Sequence, residues 1–86
     1  MVIQAQNLEV HELPDGYIVY QIERDRVHYL NKTAAIIFEL CDGSREADDV
    51  VARVAKVFDL GASAHGEIRA GLDSLVNEGL VLSPSK

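Results

Sequence analysis

Basic residues are scarce in this chain: eight Lys and Arg stand against fourteen Asp and Glu, a formal net charge of −6 over 86 residues. Binding to nucleic acid rests mostly on neutralising phosphates with Lys and Arg. The acidic balance therefore argues against nucleic acid or an anionic membrane as partner and suits a basic or apolar one. Cysteine is almost missing. Cys41 stands alone, so no internal disulfide can form. It lies at the apolar end of a predicted helix beside Asp42, without the basic or helix-start setting that activates a thiol, and reads as a small buried hydrophobe. No apolar run approaches the roughly 18 residues a membrane span requires. The start, Met1-Val2-Ile3-Gln4-Ala5-Gln6, lacks the basic and apolar regions of a secretory signal. Also missing are Cys-x-x-Cys, His-Glu-x-x-His, Gly-x-x-x-x-Gly-Lys and Gly-x-Gly-x-x-Gly, so no cofactor is expected. His11, His28 and His65 fall on different predicted elements at no metal-ligand spacing, which predicts neither a metal site nor a catalytic histidine.

What is present suffices for one small domain over residues 1–86, 48% apolar, with a core of little margin. Leu8-Glu9-Val10-His11-Glu12-Leu13 alternates partly and reads as a strand. Pro14-Asp15-Gly16 is a turn, with Pro presetting φ and Gly free to take a positive one. Residues 17–23 form a second strand with Ile18, Tyr20 and Ile22 on one face, and residues 26–30 a third. Short links between them predict an antiparallel meander. Asn31 is placed to cap a helix over residues 32–41, apolar nearly all round and so buried on more than one side. Asp42-Gly43 should stop it with Gly in a left-handed cap.

A second helix over residues 47–58 carries Val50, Val54, Val57 and Phe58 as its core stripe, with Asp48 and Asp49 at its positive end. Its valines are poor helix formers, so it depends on packing. After the link at residues 59–64, where Ser63 is a candidate cap, a third helix spans residues 65–77 with Ile68, Leu72, Leu75 and Val76 as its stripe. Gly79 fits the C′ position, with Leu80 packing back on Leu75. Residues 80–82 return as an extended segment beside the sheet, and residues 83–86 form a flexible polar tail. The predicted class is α+β: a three-stranded antiparallel sheet followed by three helices, with the order of a winged helix-turn-helix domain.

The feature that could carry function is the third strand. A terminal strand of a meander has unpaired N–H and C=O groups and can accept an extended peptide. Arg26, Val27, His28, Tyr29 and Leu30 would supply that edge. The third helix is the expected wall, through Arg69, Leu72, Asp73 and Val76. Two other readings stay open. A winged-helix DNA-binding regulator has the topology but presents three acids on its recognition helix. A self-dimerising module, edge-paired or swapped, could use the same strand on itself.

The groups Tyr29-Leu30-Asn31, Leu40-Cys41-Asp42-Gly43 and Glu78-Gly79-Leu80-Val81, in this order and spacing, resemble the PqqD family over about residues 13–82. One departure is Glu46, where the family often has a Thr to cap the second helix. The resemblance implies a peptide-recognition domain with no catalysis, and the missing signal and membrane span make a cytoplasmic location the expectation. It implies binding of the leader segment of a ribosomally made precursor peptide and presentation to a modifying enzyme, such as a radical S-adenosylmethionine protein, or to a leader peptidase.

Overall fold

The computed structural model of the chain describes residues 1–83; the rest of the predicted tail, residues 84–86, lies outside the described residues. The elements run β1 (Val2–Gln4), β2 (Leu8–Leu13), β3 (Gly16–Gln21), β4 (Arg26–Asn31), α1 (Lys32–Leu40), β5 (Asp42–Arg45), α2 (Ala47–Val57), α3 (His65–Asn77) and β6 (Val81–Leu82). The fold is α+β. Its predicted sheet is present as the antiparallel meander β2-β3-β4, and a second sheet has the order β5-β1-β6.

The meander has an inner and an outer face. Ile18 lies opposite His11 and Tyr29, and Tyr20 opposite Glu9 and Val27. Residues opposite one another share a face, and this one is the outer. The inner face carries Val19, wholly buried, and Leu30, 5% exposed. Ile22 is not on the strand at all. It opens a 3-10 turn, Ile22–Arg24, closed by Asp25 in the left-handed conformation, and it is exposed.

Asn31 caps α1 as its position predicts, its Oδ1 accepting from the Ala34 N–H at 2.9 Å. Asn31→Ala should cost about 1 kcal/mol, read as a lower denaturant midpoint with an unchanged slope. Phe38, Ile37 and Ala35 bury the helix against the other elements. The Tyr17 hydroxyl donates to Glu39 Oε2 and ties β3 to α1. That bond, with burial and the carboxylate's charge, pushes the phenol up to about 12.

Asp42-Gly43 does not stop α1. The helix ends at Leu40, with the Cys41 N–H bonded to the Phe38 carbonyl at 3.2 Å, and Asp42–Arg45 is a strand. Gly43 has the expected positive φ of 90°, but it serves a bulge, where the pairing shifts between Val2 and Ile3. A Cβ there would meet Ile3 Cδ1 at 3.1 Å. Asp42 Oδ1 accepts from the Ser44 N–H and hydroxyl, and these bonds hold its carboxyl below the usual carboxylate range. Cys41 is buried, and burial, then Asp42, pushes its thiol up to about 11.

Strand β1 is too short to show a period in the sequence, yet it joins the two ends of the domain. The Gln4 N–H bonds the Cys41 carbonyl, Gln4 Nε2 the Phe38 carbonyl and the Ala5 N–H the Leu80 carbonyl, each at 2.9 Å. The returning segment β6 therefore pairs with β1, not with the meander.

In α2 the buried set is Val50, Val51, Val54 and Ala55. Val57, expected in the core, is 61% exposed, because the helix buries a face centred nearer Val54. Ser63 does not cap α3. It lies in a 3-10 turn, Ala62–Ala64, and the cap position falls to Ala64 with no side-chain bond. The other end follows expectation: Gly79 has φ 77°, its N–H bonds Val76 O, and the Leu80 N–H bonds Leu75 O at 3.0 Å. These are the two bonds of a Schellman stop, and Leu80 is buried.

Candidate peptide-binding edge

β4 pairs with β3 along its whole length. On its other side no strand pairs with it among the described residues. Side chains alternate along the strand. Val27, 65% exposed, and Tyr29, 54% exposed, stand on the outer face, while His28 and Leu30 point inward. Arg26 is exposed at the strand's start. The five predicted strand residues thus divide between the two faces of one free edge.

The helix residues are placed differently. At about 100° per residue, Ile68, Leu72 and Leu75 set the core direction of α3, and all three are buried. Leu72, 1% exposed, is core and not groove rim. Arg69, Asp73 and Val76 fall on one flank. With Leu72 they line a depression of about 260 Å³ whose other walls are Val2, Ala47 and Ser83. Arg69 Nη1 pairs with Asp48 of α2 at 2.8 Å, and its Nε with Asp73 at 3.5 Å. This flank looks toward β1 and the start of α2.

Gly71 and Glu78 lie on the opposite flank. A Cβ on Gly71 would meet Ile37 of α1 at 3.2 Å, so the two helices pack closely there. Glu78, at the end of α3, reaches β4: its Oε1 lies 3.8 Å from His28 Nδ1. Gln21 makes the join firm. It is the one buried polar residue among the described residues, and its Nε2 donates to the carbonyls of Glu78 (3.3 Å) and Gly79 (3.4 Å). Its Oε1 faces His28 Nε2 at 3.0 Å. β3, β4 and the end of α3 are locked by this group.

Sequence reading missed Gln21 and Glu78 as partners of His28. The one available signal was a glutamine in register with Tyr17 and Val19 on the inner face of an apolar strand. Its partners are 57 and 58 residues away along the chain, where no local pattern points. Among the described residues, no three His, Cys, Asp or Glu side chains converge as a metal site. Among them, too, no helix is long and apolar enough to cross a membrane.

Sheet order, helix order and the free edge define a small winged-helix-like α+β domain. The chain belongs to the PqqD family: the family's sequence model, coenzyme PQQ synthesis protein D, matches residues 16–81. Two solved structures share its fold. TbiB1 in complex with the TbiA(beta) leader peptide superposes with a TM-score of 0.78 at 12% identity, over 98% of this chain and 99% of that one. Lasso peptide synthetase B1 complexed with the leader peptide gives 0.73 at 20% identity, over 95% and 98%. No curated protein sequence matches the chain.

Proposed function

We propose that this chain is a non-catalytic, cytoplasmic adaptor that binds the leader segment of a ribosomally made precursor peptide and presents it to a modifying enzyme or leader peptidase. The leader adds as a strand along β4. The observation that carries this reading is the unpaired β4 edge in a fold shared with two proteins solved with leader peptides bound. Main-chain bonds supply affinity in such an arrangement, and alternate side chains supply selectivity. Arg26, Val27, His28, Tyr29 and Leu30 form the strand side of the site. The placement of Glu78 beside His28 favours the end of α3 as the wall, in place of the flank with Arg69, Leu72, Asp73 and Val76.

The DNA-binding reading is disfavoured by charge. Arg69, the one strong base on α3, is already paired with Asp48 and Asp73, and the chain as a whole carries −6. The deciding experiment is an amide-resolved NMR titration with the leader of a precursor peptide encoded beside the gene. Shifts gathered at residues 26–30 and around Glu78 are expected. Saturable binding that leaves residues 26–30 unmoved would sink the strand-addition reading. Sedimentation over a concentration series, with and without peptide, separates the adaptor from a module that pairs the same edge with itself.

A further inference from the structure

We infer that β2, the edge of the meander opposite β4, pairs with the same strand of a second copy of this chain, antiparallel and in one register. The inference goes beyond leader binding and leaves β4 free. Among the described residues no strand pairs with the outer side of β2, and of its six residues only Leu8 is less than exposed. Val10 lies opposite the wholly buried Val19, hence on the inner face, yet it is 43% exposed. The core covers β3 and β4 and stops short of this edge, which leaves an apolar side chain in water beside open backbone groups.

The backbone limits the registers. Along an antiparallel ladder, hydrogen-bonded pairs alternate with non-bonded ones. The Ile22 N–H bonds the Asn7 carbonyl at 3.2 Å, so the bonded pairs that follow are Glu9 with Tyr20, His11 with Ile18 and Leu13 with Gly16. The N–H and C=O groups of Leu8, Val10 and Glu12 therefore point to the open side. An antiparallel second β2 meets them with its own Leu8, Val10 and Glu12, in a self-complementary two-fold contact. Three registers do so. One centred on Glu9 sets two carboxylates directly opposite, which is destabilising. One centred on His11 sets Val10 against Glu12 and brings Leu8 to Pro14, which has no N–H to give. The register centred on Val10 sets Val10 against Val10, with Leu8 facing Glu12 at either end, and every outward group of these residues finds a partner.

That register also sets Glu9 against His11 twice, as non-bonded pairs, the kind whose side chains lie closer. Glu9 and His11 already stand 3.7 Å apart on the outer face. The contact would close two carboxylates and two imidazoles into an alternating ring, and an imidazole N–H donates to a carboxylate in either protonation state. The product is one six-stranded sheet, three strands from each copy, with a free β4 at each end.

The test is sedimentation equilibrium of the purified protein from about 10 μM to about 1 mM, with amide hydrogen exchange at both ends of that range. Each copy carries −6, so long-range repulsion opposes the contact and the dimer is expected at the upper end. There the amides of Leu8, Val10 and Glu12 should gain protection. Glu9→Lys should weaken the dimer roughly fivefold. Glu9→Lys combined with His11→Glu should restore it, because the reversed pair fits the same register. Both positions are exposed, so the variants should fold. A protein that stays monomeric throughout overturns the inference. So does protection gained at Val27 and Tyr29, which would mean that β4 pairs with itself, and so does a dimer that the reversed pair fails to restore.

Discussion

Gly16→Ala should cost about 3 kcal/mol or more, although it adds a single methyl group. Gly16 begins β3 opposite Asn31. A Cβ built on it would stand 2.0 Å from the Leu30 carbonyl oxygen, 3.0 Å from the Leu30 carbonyl carbon and 3.2 Å from that of Asn31. All three atoms are backbone, so no side chain can swing aside. The strands must part at the point where Leu30 enters the core and Asn31 caps α1. A domain of this kind holds only about 0.05–0.15 kcal/mol of stability per residue, and the loss is a large share of it. Urea unfolding of the purified variant measures the effect. A midpoint close to that of the parent would show that β3 and β4 do not approach so closely. The turn at Pro14-Asp15-Gly16 is legible in the sequence, but the reason for its glycine is this close approach.

Leu72→Asp should unfold the domain, with a loss above about 4 kcal/mol. Leu72 is 1% exposed, within the core cluster that joins α3 to α1 and α2. A carboxylate there has no basic partner inside that cluster and must either be buried charged or take up a proton; both are costly. Circular dichroism and amide spectra should show a collapsed or unfolded chain. Loss of peptide binding in this variant would therefore say nothing about a binding site. Tyr29→Asp is the informative comparison: at 54% exposed, it should leave the fold intact, so any loss of binding reports on the edge itself. A folded Leu72→Asp protein would mean that α3 turns a different face to the core.

The two variants separate what was legible from what was not. The apolar stripe of α3 was readable from spacing, and Ile68, Leu72 and Leu75 are buried as it requires. The stripe gives the direction of burial about one helix axis, and nothing about which element stands on either flank. Arg69, Asp73 and Val76 were expected to look toward the strand. They look instead toward Val2 and Ala47. In the same way, the shared face of Ile18 and Tyr20 was present in the alternation of β3. Both faces of that strand are apolar, however, so the pattern did not say which of them α1 covers.

Local chemistry was determined by the sequence alone: the Asn31 cap, the Gly79 stop, the bounds of α3 and the strand order of the meander. Each depends on residues within a few positions of one another, where steric preference and a single hydrogen bond decide. Tertiary structure alone decided the second sheet, which collects residues 2–4, 42–45 and 81–82. It decided too that Asp42-Gly43 continues as a strand, because β1 arrives to pair with it. And it brought Gln21, His28 and Glu78 together at one end of the free edge. These pairings join segments far apart along the chain. Their stability comes from shared burial and backbone pairing that exist only once the whole domain has closed, so no window of sequence contains them.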